Sequence, residues 1–218
     1  MELAFILVEP ARPENVGAAA RALKTMGLSA LWLVNPCDLS REARWLAHES
    51  TELLDQARHF DSLAAALAEV DFSIASTARR RLDHDDYLTP QECRSALAGK
   101  PGSVRRAALV FGREASGLTG DELALCDAAT RIPLPVSQPS LNLAQAVMLY
   151  AWELSGIEPL RSPAAASATL PHVRSALNSQ LAALGVGNDE NLHRWANEAL
   201  ARFDDRDLGM LMTLLKRL

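Results

Sequence analysis

The chain has 218 residues with 22 basic and 27 acidic side chains, a formal net charge of −5. Because 49% of the residues are hydrophobic, the chain is expected to fold around a sizeable core, which excludes a mainly disordered protein. The negative charge excludes a uniformly positive surface for nucleic acid, but it leaves room for a local basic patch.

The spacing of cysteine and histidine excludes further classes. Cys37, Cys93 and Cys126 are far apart, and the five histidines lack metal-ligand spacing and a nucleophilic partner. We therefore expect no disulfide framework, no metal site and no hydrolase triad. Residues 3–8 are too short and too quickly followed by an acid for a signal peptide, and no apolar run approaches membrane-spanning length. These features predict a soluble, cytoplasmic protein without a membrane partner.

Strand and helix patterns alternate over the first 157 residues. Apolar runs predict strands at residues 3–8, 31–34, 72–75, 107–111 and 128–132. Helical spacing predicts helices at residues 15–26, 41–57, 61–69 and 141–154. This alternation predicts an α/β fold with a mostly parallel sheet and helices on both faces. Ligands of such sheets bind at the carboxyl ends of the strands, so STARRR, GREASG and PVSQPSLN are expected to gather at one edge.

The first predicted helix presents two distinct faces. Its inward stripe consists of Val16, Ala19, Ala20, Leu23 and Met26. Gly17, Arg21 and Lys24 lie together on another face. Two interpretations of this face stay open: Arg21 grips a phosphate beside exposed backbone, or Arg21 is a solvated arginine beside a close helix–helix contact at Gly17.

The loop in VFGREASGLTGDEL matches neither a dinucleotide-binding nor a P-loop pattern. Gly112 ends a strand and permits close backbone approach. Glu114 is placed to accept hydrogen bonds from a ligand or from neighbouring backbone. Thr119 and Glu122 have the spacing of a capping box for the next helix.

The helix predicted at 141–154 is apolar nearly all round, which predicts burial on every side. Ser140 and Asn142 stand at its polar start. They are either an ordinary helix cap or part of a ligand site built on free backbone N–H groups.

Three clusters of charge have solvated turns or loops as their simplest interpretation. The basic segments TARRR (77–81) and SVRRAA (103–108) gain significance only if both border one cleft. Asp83, Asp85 and Asp86 fit no standard metal-binding loop, and a metal site there is a minor alternative.

The composition changes after residue 157. Residues 158–169 are rich in Pro, Ala and Ser and predict a linker, which divides the chain into a domain at 1–157 and an extension at 170–218. Three amphipathic helices are predicted in this extension, with apolar stripes at Leu170, Val173, Leu177, Leu181 and Leu184, at Leu192, Trp195, Ala199 and Phe203, and at Leu208, Leu211, Leu215 and Leu218.

Three ordered segments carry a family resemblance: ENVGAAARALKTMG, LVFGREASGLTGDEL and IPLPVSQPSLNLAQAV. In this order and spacing they resemble the three motifs of the SpoU/TrmH class of SPOUT RNA 2′-O-methyltransferases, closest to its TrmJ-like tRNA/rRNA methyltransferase group. The resemblance covers residues 1–157. It implies a trefoil knot in the C-terminal part of the core, S-adenosylmethionine as cofactor, and a homodimer with active sites at its interface.

The resemblance also implies roles for residues. Arg21 matches the catalytic arginine, and Asn15, Glu114, Ser140 and Asn142 match the other polar motif positions. The cofactor-binding loops match Thr77, Ala78, Arg79, Gly112, Arg113, Glu114, Ile132, Ser140, Leu141 and Asn142. A guanidinium stays protonated in proteins, so Arg21 is expected to orient a phosphate and the 2′-hydroxyl.

The implied substrate is a ribose 2′-hydroxyl of RNA, preferably tRNA at anticodon-loop nucleotide 32, with rRNA or another RNA as the alternative. Two other classes of protein are alternatives. A knotted RNA-binding protein without catalysis is disfavoured by the complete set of motif residues. A nucleotide-binding metabolic enzyme is disfavoured by the missing G-x-G-x-x-G pattern.

Overall fold

The computed structural model describes residues 1–39, 41–78, 87–100, 104–136, 140–157, 170–186 and 190–217. Several predicted features lie outside the described residues: Arg79, the acidic residues Asp83, Asp85 and Asp86, and the linker at 158–169.

The core is a sheet of six strands. The strands are β1 (Glu2–Val8), β2 (Ala30–Val34), β3 (Arg58–Phe60), β4 (Phe72–Ser76), β5 (Arg106–Phe111) and β6 (Ala128–Thr130). Their order across the sheet is β3-β2-β1-β5-β4-β6, and every pairing between neighbours is parallel. The predicted parallel sheet is therefore confirmed, and all strands end at the same edge.

Helices cover both faces of the sheet. They are α1 (Pro13–Thr25), α2 (Arg41–Ala47), α3 (Thr51–Asp55), α4 (Leu63–Leu67), α5 (Pro90–Ala98), α6 (Gly120–Ala124), α7 (Leu143–Leu154), α8 (Leu170–Ala183), α9 (Glu190–Arg202) and α10 (Asp205–Leu215). Phe5 and Leu7 of β1 pack with α1, α2, α5 and α7, whereas Ala4 and Ile6 pack with α4 and α6. The alternation of strand side chains thus builds two cores. In the described ranges no helix is long and apolar enough to cross a membrane.

Four local predictions were wrong or incomplete. The helix predicted at 41–57 is interrupted by a 3-10 turn, in which His48 has a φ of 51°. Strand β3 was not predicted, because its three residues are too few to show an alternation of apolar and polar side chains. Helix α5 was not predicted either. Its capping box of Thr89 and Glu92 and its first residue Pro90 are recognisable signals of a helix start. The last strand ends at Thr130, two residues earlier than predicted.

Within the single chain helix α7 is buried on one side, whereas the sequence predicts burial nearly all round with a second subunit as part of its surroundings. Its buried residues are Leu143, Val147, Tyr150, Ala151 and Leu154. Leu149 is 42% exposed and Trp152 is 63% exposed. An apolar residue pair therefore faces outward on a helix whose other side packs against α1 and α5.

The three C-terminal helices are present as predicted, and they pack on the sheet domain. Leu170, Val173 and Leu208 join the core cluster that lies under α1 and α7. The apolar stripe predicted for α9 was wrong, because Trp195 is 64% exposed while Ala196 and Leu200 are buried.

Polar contacts also attach these helices to the sheet domain. Arg174 forms an ion pair with the largely buried Asp127, and Lys100 Nζ donates to Phe203 O at 2.6 Å. Asp127 and Lys100 precede strands β6 and β5. The extension is therefore held at the amino edge of the sheet.

Candidate active site

The carboxyl edge of the sheet brings together the loops that the sequence analysis singled out. Segments after β1, β4, β5 and β6 begin at Glu9, Thr77, Gly112 and Arg131, all at the same edge. The basic segments behave differently from one another. Thr77 follows β4, whereas Arg105 and Arg106 stand at the amino edge. The basic residues 79–81 lie outside the described residues, so a joint basic patch stays untested.

The loop between β5 and α6 closes tightly on itself. A Cβ atom built on Gly112 would lie 2.2 Å from both the carbonyl carbon of Gly117 and the nitrogen of Leu118. Gly117 adopts a φ of 71°, and its N–H donates to Arg113 O at 2.8 Å. Gly112 is therefore needed by the loop itself, because only a residue without Cβ allows its backbone to approach Gly117 and Leu118 so closely.

Glu114 ties this loop to the start of α1. Its carboxylate accepts hydrogen bonds from the backbone N–H groups of Ala11 (2.9 Å) and Arg12 (3.2 Å) and from Asn15 Nδ2 (2.9 Å). Burial is the largest single influence and opposes ionisation, but the hydrogen bonds together outweigh it and lower the pKa of Glu114. Glu114 is therefore a charged anchor for the N-terminus of α1.

A chain of amides extends this anchor to α7. Asn142 Nδ2 donates to Asn15 Oδ1 at 2.7 Å, and Asn142 Oδ1 accepts from the backbone N–H of Ala144 at 2.8 Å. Asn142, rather than Ser140, is the N-cap of α7, and Gln145 completes its capping box. Three residues from three separate motifs thus form one hydrogen-bonded relay, Glu114–Asn15–Asn142.

Arg113 has its side chain occupied by protein carboxylates. Its Nε donates to Glu9 Oε2 at 2.8 Å, and its two terminal nitrogens donate to the carboxylate of Glu122 at 3.0 Å each. These hydrogen bonds, with Glu9 first, raise the pKa of Arg113. The predicted capping box of Thr119 and Glu122 is confirmed. Sequence reasoning missed Glu9 and the second role of Glu122, since their partner lies 104 and nine residues away.

Arg21 remains exposed on α1, while its neighbours on the same face are used for packing. A Cβ on Gly17 would lie 2.0 Å from Ala43 O, so Gly17 serves a close contact with α2. Lys24 donates to Glu49 O and forms an ion pair with Glu52. Among the residues that the structure describes, no ion pair or side-chain hydrogen bond engages the guanidinium of Arg21.

The other residues implied by the resemblance lie at the same edge. Thr77 directly follows β4, and its N–H donates to Thr130 O at 3.0 Å. Ala78 and Ser140 are exposed, whereas Ile132 and Leu141 are half-buried. No backbone hydrogen bond joins Ile132, Ser140 or Leu141 to the described part of the chain. Unused backbone groups beside apolar side chains fit a nucleoside ligand, because such a ligand needs both.

The ionisable groups elsewhere argue against other chemistry. Burial raises the pKa of Cys93 to about 11 and that of Cys126 to about 12, so neither thiol is a nucleophile at neutral pH. Over the described ranges, no cluster of His, Cys, Asp and Glu has the geometry to hold a metal ion.

Comparison with known proteins identifies the family. Residues 2–152 match the model of the SpoU rRNA methylase family. The chain is 43% identical over 221 residues to an uncharacterized tRNA/rRNA methyltransferase, LasT, of Escherichia coli (strain K12), covering 99% of this chain and 96% of that relative. It is 42% identical over 153 residues to the tRNA (cytidine/uridine-2′-O-)-methyltransferase TrmJ of Pectobacterium atrosepticum, covering 69% of this chain and 62% of TrmJ.

Structural comparison agrees with the sequence match. The crystal structure of TrmJ from Z. mobilis ZM4 superposes with a TM-score of 0.69 at 29% identity, covering 100% of this chain and 99% of that one. The predicted fold class, a knotted α/β core with a helical C-terminal extension, is confirmed. Because the family model matches well over half of the chain, this protein belongs to the SpoU rRNA methylase family.

Proposed function

We propose that this protein transfers a methyl group from S-adenosylmethionine to a ribose 2′-hydroxyl of RNA, with tRNA as the preferred substrate. One observation carries the proposal: Arg21 is exposed, has no side-chain partner among the described residues, and stands on a helix whose start the Glu114–Asn15–Asn142 relay joins to two loops of the carboxyl edge. The tRNA/rRNA methyltransferase LasT and the tRNA 2′-O-methyltransferase TrmJ, to which the chain is similar, support an RNA substrate and the 2′-oxygen as acceptor.

S-adenosylmethionine would supply an electrophilic methyl group bonded to a sulfonium sulfur. We assign its binding to backbone groups of Ile132, Ser140 and Leu141, to Thr77–Ala78, and to the loop of Gly112, Arg113 and Glu114. The side chains of Arg113 and Glu114 already bind protein atoms, so these two residues contribute through their backbone. Arg79 and the side chain of Ser140 complete the proposed set, and Asn142 orders the site through its hydrogen bonds to Asn15 and to the first turn of α7.

Arg21 acts as the orienting group in this proposal. Its planar guanidinium can hold a phosphate through two parallel N–H groups and place the adjacent ribose hydroxyl for attack. Correct alignment of the reacting atoms can lower the activation free energy by as much as about 7–11 kcal/mol. Because a guanidinium stays protonated, Arg21 orients the hydroxyl and does not remove its proton.

We also propose a homodimer that uses the outer face of α7. The inward residues Val16 and Leu23 of α1 are fully buried within the chain, so the surplus apolar surface of these two helices lies on α7, at Leu149 and Trp152. A symmetric dimer would cover this face, since the same patch meets itself across a two-fold axis.

The target nucleotide is the most specific part of the proposal. We propose anticodon-loop nucleotide 32 of tRNA, by analogy with the TrmJ-like group. A site in rRNA is the alternative, supported by the mixed tRNA/rRNA wording of the LasT relative. A knotted RNA-binding protein without catalysis is the alternative from another class.

Two measurements test the proposed function. Calorimetry with S-adenosylhomocysteine tests the cofactor, and absence of binding would favour the non-catalytic alternative. Mass spectrometry of nucleosides from a deletion strain tests the substrate: we expect loss of one ribose methyl group from tRNA. Loss from rRNA with unchanged tRNA would move the assignment to rRNA.

A further inference from the structure

Three charged residues form a clamp just beyond the carboxyl ends of β1 and β5. We call Glu9, Arg113 and Glu122 the carboxyl-edge clamp. Arg113 Nε lies 2.8 Å from Glu9 Oε2, and its terminal nitrogens bind both oxygens of Glu122 at 3.0 Å. The side chains of Arg113 and Glu122 are 24% and 17% exposed, so this pair is better shielded from solvent than an ordinary surface pair.

The clamp joins two segments at a residue with a left-handed backbone conformation. Glu9 has a φ of 46°, a left-handed conformation that costs free energy for a residue with a side chain. Its N–H donates to Val34 O at 2.8 Å, which holds this conformation against β2. The Glu9 carboxylate is thereby presented to Arg113 across the edge of the sheet.

Consecutive residues of one loop grip both sides of the β1–α1 connection. Arg113 binds Glu9 before Pro10, and Glu114 binds the backbone of Ala11 and Arg12 after it. The position of the loop at 112–118 is therefore set from two directions. Glu122 adds a third attachment, because it also caps α6 through the N–H of Thr119 at 2.7 Å.

The same two strands carry a matching contact at their other ends. Glu2 and Arg106 form the amino-edge pair, in which Arg106 Nε lies 2.8 Å from Glu2 Oε2, and Arg106 also reaches Glu69. Its arginine–glutamate geometry and distance equal those of Glu9 and Arg113. The amino-edge pair lies at the edge opposite the proposed site, so it is a natural control for the clamp.

We propose that Glu9 and Glu122 are positioning residues that act through Arg113 to hold the loop at 112–118 in its cofactor-binding position. This inference rests on the proposed function, because it concerns binding of S-adenosylmethionine by that loop. Neither carboxylate touches the cofactor in this proposal. Their contribution is the placement of the backbone of Gly112, Arg113 and Glu114.

The test compares Glu9→Ala with Glu2→Ala. Alanine keeps the left-handed backbone cost at position 9 and removes only the carboxylate. Both variants lose one exposed ion-pair partner, so their melting temperatures should fall by similar small amounts. For Glu9→Ala we expect about a tenfold rise in the KM for S-adenosylmethionine and in the Kd for S-adenosylhomocysteine, with kcat on tRNA within about twofold of wild type. Glu2→Ala should leave all three constants within about twofold.

A second pair of variants protects the test against a folding defect. Arg113→Lys replaces the guanidinium by an ammonium that cannot bind Glu9 and both oxygens of Glu122 together, and Arg106→Lys is its control. The same rise in KM and Kd is expected for Arg113→Lys alone.

The outcomes separate the two proposals. If clamp and control variants have equal KM and Kd values while the wild-type enzyme binds S-adenosylhomocysteine and methylates tRNA, the clamp proposal is overturned. If the wild-type protein neither binds S-adenosylhomocysteine nor transfers methyl groups, the proposed function fails, and the positioning role fails with it.

Discussion

The two edges of the sheet are both rich in charge, yet they use it differently. At the amino edge, Asp71 accepts from the backbone N–H groups of Arg105 and Arg106, both at 2.9 Å, and Arg174 compensates Asp127. The C-terminal helices dock there. At the carboxyl edge the ion pairs and the relay instead order loops and the start of α1, the helix that carries Arg21.

This difference teaches that charge density alone does not identify a functional site. Both edges contain arginine–glutamate pairs with the same 2.8 Å contact. The described part of the carboxyl edge combines the left-handed Glu9 and Asn35 at strand ends with the close approach of Gly112 to the backbone of Gly117 and Leu118. Such features persist where the surrounding structure holds them in place, often at functional sites.

The strongest way to break the comparison is to remove Arg21. For Arg21→Ala and Arg21→Lys we expect methyl transfer from radiolabelled S-adenosylmethionine to tRNA to fall on the order of a hundredfold, as for loss of a transition-state contact. Stability should change by about 0.5 kcal/mol or less, and S-adenosylhomocysteine should still bind.

Arg44→Ala is the matched control for Arg21. Arg44 is an exposed arginine on the neighbouring α2 that pairs with Asp55 at 2.6 Å, so its loss should leave transfer unchanged. Near-normal transfer by Arg21→Lys with saturating tRNA would mean that positive charge suffices, and the planar orienting role would be wrong.

The close approach at Gly112 gives the next largest effect. Gly112→Ala places a Cβ against the backbone of Gly117 and Leu118, and overpacking of this kind costs about 1–3 kcal/mol. We expect a lower melting temperature together with weaker S-adenosylhomocysteine binding, and Gly112→Val should exceed both effects.

Gly120→Ala, at the first residue of α6, is the matched control for Gly112→Ala. A Cβ there meets nothing within 4 Å, so stability and binding should match wild type. Equal S-adenosylhomocysteine affinity of Gly112→Ala and Gly120→Ala would remove Gly112 from the proposed site.

The exposed face of α7 extends the comparison to a third surface, which is expected to bind a second copy of the chain. Light scattering at low micromolar concentration should give twice the 23.6 kDa chain mass. Trp152→Glu introduces a charge at the centre of the proposed interface and should yield a folded monomer. A wild-type monomer at that concentration would contradict both the dimer and a shared active site.

The smallest expected effect is a pair of opposite pH dependences. Hydrogen bonds lower the pKa of Glu114 below its ordinary 4.5, whereas burial raises the pKa of Asp127 above its ordinary 3.8. Ionised Glu114 therefore adds to the free energy of unfolding above pH 4.5, and this contribution is lost as the pH falls through its folded pKa. Asp127 contributes stability below 3.8 that is lost as pH rises through its folded value.

Unfolding in urea between about pH 3 and pH 6 measures both effects. Relative to wild type, Glu114→Gln should become more stable as pH falls, and Asp127→Asn should become more stable as pH rises. Parallel trends in the two variants would contradict the assigned environments of these carboxylates.

The sequence by itself determined the features that depend on neighbouring residues. Strands that alternate with helices along the chain predicted the parallel sheet. Helical spacing predicted the inward stripe of α1. The spacing of Thr119 and Glu122 predicted the cap of α6. These signals are local, because side-chain direction repeats every two residues in a strand and every 3.6 in a helix. The ordered motifs were sufficient for the family.

Tertiary structure alone decided what the motif residues contact. Gly17 serves the approach of α2, Gly112 serves the close approach within its own loop, and Arg113 binds Glu9 across 104 residues of chain. The outward face of α7 and the three-residue β3 likewise depend on distant partners. Chain folding brings such residues together through packing and sheet order, which no local periodicity encodes. The sequence therefore indicated which residues meet at the site, and the fold decided which of them remain free to bind a ligand.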